Sequence, residues 1–216
     1  MKLYTFWRSL ATFRVRIALN IKGLACDAID IDLDRGQQHT AEFRALNPQM
    51  TLPALVEDDG NVLFQSMAIM EYLDEVYPEP ALLPADPRGR ARVRALSLIT
   101  IADSHPLIVP RVRTHLGTSL HVDDAGKTSW VRHWLAAGLD AYEAHLARDR
   151  STGLYCHGDR VTMADLSLVS HAVGYRVFKG GLDNHPTVKR IVATCMADDR
   201  FARAEPLRQP GAPTAS

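Results

Sequence analysis

Hydrophobic and polar positions along the first eighty residues alternate between two periods. Residues 2–6, KLYTF, form a short β-prone run. Residues 12–23, TFRVRIALNIKG, then set Val15, Ala18, Leu19 and Ile21 at helical spacing, with Thr12 suited to cap the start and Gly23 the end. The next run, DAIDIDL, alternates strictly. Ile29, Ile31 and Leu33 fall on one face and Asp30 and Asp32 on the other, as in a half-exposed strand. A β-α-β unit of this size implies a right-handed crossover and parallel pairing. After a helical patch, AEFRALNP, two strand-like runs flank Asp58-Asp59-Gly60-Asn61, which has hairpin-turn chemistry. QSMAIMEYLDEVYP follows as a helix with Ile69, Met70, Leu73, Val76 and Tyr77 as its apolar stripe.

The order β-α-β-α-β-β-α predicts a four-stranded mixed sheet covered by helices, the thioredoxin-like arrangement, over residues 1–80. Four prolines between Pro78 and Pro87 mark a linker. Beyond it only helical periods occur, over about 88–109, 127–147, 162–178 and 186–197. The chain therefore divides into an α/β domain, 1–80, and an all-α domain, 88–216. The Pro/Ala/Ser-rich tail from Pro206 is expected to fray.

Charge and cysteine content narrow the function classes. Lys+Arg 25 against Asp+Glu 25 leaves no net charge, and so no general attraction to nucleic acid or anionic membrane. No apolar stretch approaches the roughly 20 residues of a membrane span, and MKLYTFW is too polar for a signal peptide. Cys26, Cys156 and Cys195 are far apart and odd in number, which argues against a disulfide framework or a Cys-rich metal site. The nine histidines lack ligand spacing, so no metal is expected. These features together predict a soluble cytoplasmic protein.

Thioredoxin-like domains usually carry Cys-x-x-Cys at the start of the first helix. This chain has Arg8-Ser9-Leu10-Ala11-Thr12 instead, so any thiol chemistry must use a bound molecule's sulfur. The helix N-terminus, with unpaired N–H groups and a positive dipole end, suits a thiolate, and Ser9 could donate to it. The plain alternative is that Ser9 and Thr12 only cap the helix. Leu52-Pro53 precedes a strand; a trans bond is the default, while a cis bond would turn the Leu52 backbone outward to pair with an extended peptide. Gln65-Ser66 opens the next helix and could receive a small α-carboxylate, although Ser66 alone reads as a cap.

The run FWRS–x3–FRVRIALNIKG, then GQQ, ALNPQMTLPAL and LFQSMAIMEYLDE, resembles a zeta-class glutathione transferase. LLPADPRGRARVRAL and GDRVTMADLSLV extend the resemblance over essentially the whole chain. The class includes glutathione-dependent maleylacetoacetate and maleylpyruvate isomerases, and FWRS with His105-Pro106 is most similar to the bacterial maleylpyruvate branch. The resemblance implies glutathione as cofactor, with Ser9 at the sulfur, Gln38 near the glycine end, Leu52 before a cis Pro53, Gln65 and Ser66 at the γ-glutamyl end, and His105 reaching in from the second domain. It also implies a homodimer. Leu10-Ala11 departs from the usual Ser-Cys, which leaves Ser9, Thr12 and backbone N–H groups to activate the thiol.

The expected substrate is a small dicarboxylate. Arg8 lies beside the thiol site, Arg176 resembles a substrate-facing arginine, and Arg111 is near but out of register with another, Pro110 holding the matching place. Arginine suits carboxylates because its planar fork makes two parallel hydrogen bonds. The helix carrying Arg176 should bury Leu166, Val169, Val173 and Val177 opposite it. Thr162-Met163-Ala164-Asp165 reads as a structural capping motif, and Cys156 as packed. The expected reaction is cis–trans isomerisation of maleylpyruvate or maleylacetoacetate. A conjugating or dehalogenating transferase, a non-catalytic protein-binding module and, least of all, a thiol–disulfide reductase are the alternatives.

Overall fold

The computed structural model describes residues 1–213 and divides into two compact units. The first comprises Met1–Ala81 together with the chain from Asp198 onward; the second is Leu82–Ala197.

In the first unit, β1 (Lys2–Thr5), β2 (Asp27–Asp30), β3 (Ala54–Val56) and β4 (Val62–Phe64) form a sheet of order β2-β1-β3-β4. β1 pairs with β2 in parallel, and β3 runs antiparallel to both β1 and β4. The thioredoxin-like expectation holds. The helices are α1 (Leu10–Lys22), α2 (Ala41–Leu46) and α3 (Ser66–Val76), with a 3₁₀ turn at Gln37–His39. α1 ends as expected at Gly23, whose φ of 68° puts it in the left-handed region that glycine enters without a Cβ clash. Thr5 on β1 faces α1, since its hydroxyl accepts from Arg16. Tyr4 on the opposite face packs against Phe43 of α2, with the rings tilted and their centroids 5.9 Å apart.

β2 is shorter than the alternation suggests. The Asp32 carboxylate accepts hydrogen bonds from the Asp34 and Arg35 N–H groups, turning the chain before Leu33 can pair. In α3 the buried stripe is Ile69, Met70 and Leu73, whereas Val76 is exposed in the last turn.

α1 is buried on nearly every side, including its polar residues Thr12, Arg14, Arg16 and Lys22. α3 packs along it, and so does the C-terminal segment with α9 (Asp199–Ala202), numbered in chain order. Assigning everything from 88 to 216 to the helical domain therefore needs correction. Phe201, Ala204 and Pro206 are buried, and Pro206–Arg208 forms a 3₁₀ turn rather than a frayed end. Residues 214–216 of the expected frayed tail lie outside the described residues.

The second unit contains α4 (Pro87–Leu98), α5 (Pro110–Thr118), α6 (Asp124–Arg148), α7 (Met163–Val177) and α8 (Pro186–Met196). The single helix expected over 88–109 does not form. After α4 the chain widens into a π-helical segment, Ile99–Ser104, tied by the Ser104 hydroxyl donating to the Ile99 carbonyl at 3.1 Å. A 3₁₀ turn, His105–Leu107, follows. Pro106 and Pro110, lacking N–H donors, override the helical period, and Pro110 opens α5, which the pattern alone does not reveal. Gly138 on α6 admits this segment closely; a Cβ there would lie 2.6 Å from Ser104 Oγ and 2.8 Å from His171 Nε2.

Lys22 anchors the far end of α1. Its buried ammonium donates to Asp74 at 2.7 Å and to the Tyr77 and Pro80 carbonyls at 2.6 and 2.7 Å. Lys22→Met removes the shared cation from three buried acceptors, and should lower unfolding free energy by about 3–5 kcal/mol. Denaturant unfolding checks this; a loss under about 1 kcal/mol would mean the site relaxes to water.

Candidate functional site

The strand register brings four chain segments to one end of the sheet. Tyr4 lies opposite Ala54, Thr5 beside Asp30, and Ala54 opposite Phe64. The segments after β1, β2 and β4, and the one before β3, therefore emerge together. Ser9, Gln38, Leu52-Pro53 and Gln65-Ser66 all sit on them.

Ser9, not Thr12, is the N-cap of α1. Its Oγ accepts from the Thr12 N–H at 3.2 Å and from the Thr12 hydroxyl at 2.9 Å. With both lone pairs engaged, the Ser9 proton is left to donate away from the helix. Thr12 is fully buried, so it holds Ser9 rather than meeting a ligand itself. Ser9 therefore caps α1, and its own hydroxyl proton is not used in these two contacts.

Arg8 lies over the Phe6 and Trp7 rings, 5.3 and 5.9 Å from their centroids, and donates to Asp34 through Nη2. Asp34 escapes sequence reasoning because it is 26 residues away and reaches Arg8 only through the turn that Asp32 organises. Gln38 follows that turn, 9% exposed; its Nε2 meets His39 Nε2 at 3.1 Å while its Oε1 is buried without a partner. An orphaned buried acceptor of this kind is uncommon and calls for a donor.

The Leu52–Pro53 bond is cis, and the Leu52 N–H and C=O make no hydrogen bond among the described residues. Asn47 fixes the preceding loop by donating from Nδ2 to the Thr51 carbonyl at 2.8 Å. Gln65 has φ 68° and ψ 115°, a left-handed-side conformation that is strained for glutamine. It occupies the cap position of α3, and Ser66, expected as a cap, is instead the buried first helical residue. No side chain caps α3, so its first-turn N–H groups are available to an anion. Gln65 also donates to Gln49 Oε1 at 2.9 Å, a partner that only the folded loop reveals.

His105, Arg111 and Arg176 belong to the second unit. His105 opens the 3₁₀ turn after the π-helical segment, and Arg111 is exposed in the first turn of α5. Arg176 is exposed in the last turn of α7 and forms no ion pair among the described residues. The expectation that it sits near the core opposite Val177 fails: Val177 is 57% exposed, although Leu166, Val169 and Val173 are buried. Elsewhere in this unit the Asp165 carboxylate accepts from the Thr162 N–H and hydroxyl and the Cys156 N–H. Burial pushes the Asp165 carboxyl and, above all, the Cys156 thiol upward, which makes the thiol unreactive. No group of three or more His, Cys, Asp or Glu side chains able to hold a metal occurs among the described residues.

The glutathione S-transferase N-terminal domain family matches residues 1–75. Maleylpyruvate isomerase from Ralstonia sp. is 44% identical, over 97% of this chain and 99% of that protein. A holo structure of maleylpyruvate isomerase, a bacterial zeta-class glutathione S-transferase, superposes with TM-score 0.95 at 44% identity, covering 99% of this chain and all of the other. The chain belongs to the zeta class of glutathione transferases. Maleylacetoacetate isomerase from Methylobacterium extorquens AM1, solved with bound malonate and GSH, is similar too: TM-score 0.97, 47% identity, with 99% and 100% of the two chains covered. In this zeta-class chain no helix among the described residues is long and apolar enough to cross a membrane.

The Ser9 cap carries its own stability prediction. Ser9→Ala should cost about 1 kcal/mol, whereas Ser9→Asn, which can still cap, should cost much less. Chemical denaturation of both variants checks it, and equal losses would remove the capping role.

Proposed function

We propose that this protein is a glutathione-dependent cis–trans isomerase of a maleyl-type dicarboxylate, maleylpyruvate or maleylacetoacetate. The observation that carries the reading is the Ser9 hydroxyl, both lone pairs held by Thr12 and its proton left to donate, in a chain similar end to end to isomerases of that name. The residues fit glutathione on independent grounds. The unpaired Leu52 N–H and C=O match a peptide backbone, the uncapped α3 start with Gln65 and Ser66 matches an α-carboxylate, and the orphaned Gln38 Oε1 matches a backbone N–H.

When bound, glutathione supplies a thiolate that adds to a conjugated alkene and later leaves, so that the intervening bond can rotate. Ser9 donates to the sulfur and the α1 N–H groups add their dipole, which favours the anion. Thr12 holds Ser9 in place. Arg8 has donors beyond the one on Asp34, so its fork can take a substrate carboxylate beside the sulfur and meet the charge that develops during addition. Arg176 and Arg111 as further carboxylate partners, and His105 as a contact to the peptide, enter the proposal on the family resemblance alone. We include a homodimer in the proposal, which light scattering tests.

Assays with maleylpyruvate and maleylacetoacetate, with and without glutathione, test the function. Isomer should form only with glutathione, and none should be consumed. A stoichiometric adduct would make the protein a conjugating transferase. Gln65→Ala should weaken glutathione binding by about 1–3 kcal/mol in calorimetry, the scale of a hydrogen bond to a charged group. Arg176→Ala should raise the KM for dicarboxylate and leave the melting temperature unchanged, because its exposed side chain has no ion pair to lose; lysine should rescue it poorly.

A further inference from the structure

Arg16 is a buried cation that none of these roles uses. Its Nε donates to the Ala204 carbonyl at 3.1 Å, Nη1 to Thr5 Oγ1 at 3.1 Å and Nη2 to the Trp7 carbonyl at 3.2 Å. Its guanidinium lies 5.7 Å from the Phe13 ring centroid. All three acceptors are neutral, and no carboxylate stands within ion-pair distance among the described residues. Burial pushes the guanidinium down to about 10, so it remains charged at neutral pH.

Its neighbours do not cancel it. On the C-terminal segment Asp198 is bound to Arg200, Glu205 lies 4.0 Å from Arg208, and Arg203 adds positive charge. On α1, Arg14 has a partner of its own and Lys22 is bound to Asp74. On β2, Asp30 lies beside Thr5 in the sheet register but is exposed to solvent and forms no ion pair with Arg16 among the described residues. Arg8, the cation next to Ser9, is partly exposed and already paired with Asp34. The Trp7 carbonyl that Arg16 holds is two residues from Ser9, within the turn closed by the Ser9 N–H on the Phe6 carbonyl at 3.0 Å.

We propose that Arg16 is the fixed, uncompensated positive charge beneath the Ser9 turn that stabilises a bound sulfur as its anion, while tethering the C-terminal segment to that turn. The inference rests on the glutathione reading and names what tunes its thiol. By Coulomb's law, a unit charge about 10 Å from any thiol, at an effective dielectric near 20, moves its titration by about one pH unit. A buried charge is also poorly screened by salt.

The test is titration of thiolate absorbance in the glutathione complex of the full-length protein, for wild type, Arg16→Met and Asn20→Ala. Asn20 donates to the Arg200 carbonyl at 2.9 Å, so its loss loosens the same C-terminal segment without changing charge. Arg16→Met should raise the bound-thiol titration by about one pH unit, move the acidic limb of kcat by the same amount, and keep the difference at high salt. Asn20→Ala should leave the titration in place. Arg16→Gln, which retains donors without charge, should behave as the Met variant does and substitutes for it if the latter does not fold. Equal shifts in Arg16→Met and Asn20→Ala, or no shift in the neutral Arg16 variants, would overturn the proposal and leave the glutathione reading intact. A wild-type protein that binds no glutathione would overturn both.

Discussion

Everything at the site depends on α1 being held from all sides. A helix with one free face could keep Arg14, Arg16 and Lys22 in water. Here α3 and the returning C-terminal segment enclose it, so its polar groups must find fixed partners or be very costly to bury. Lys22 finds Asp74 and two carbonyls at the helix end, and Arg16 finds three neutral acceptors near its start. These contacts fix the axis, and the axis fixes the direction in which the N-terminal N–H groups and the Ser9 hydroxyl point. A donor set fixed before a ligand arrives favours an anion without reorganisation.

The same logic explains why no cysteine is required in the first helix. The protein contributes donors and charge, and the cofactor contributes sulfur. Leu10 and Ala11 remove two side chains that the resemblance would lead one to expect, and the Thr12-to-Ser9 hydrogen bonds provide the alignment instead. Under the proposed function, open backbone at Leu52 and at the start of α3 would receive the main chain and carboxylate of a short γ-linked peptide.

Much of this was legible from residue order. The period changes located the order of strands and most helices along the chain, and Leu-Pro followed by Gln-Ser located the open backbone, because those signals are local. Nonlocal contacts were not legible. Asp34 meets Arg8 only through a turn that Asp32 sets up, and Gln49 meets Gln65 only across two loops. Pro106 and Pro110 divided a helix that hydrophobic spacing alone would continue. Arg176 and Val177 were misplaced because period says which side of a helix a residue takes, but not where the covering elements end. The buried C-terminal segment was not legible because Phe201, Ala204 and Pro206 are too few to show a period and their burial against α1 is nonlocal.

The claim underlying this view is that the N-terminus of α1 takes glutathione as its thiolate. Calorimetric binding near neutral pH, repeated in buffers of different ionisation enthalpy, measures the protons released. A site that selects the anion releases a substantial fraction of a proton per glutathione bound and none with S-methylglutathione. Equal release for the two ligands, or none with glutathione, would contradict it.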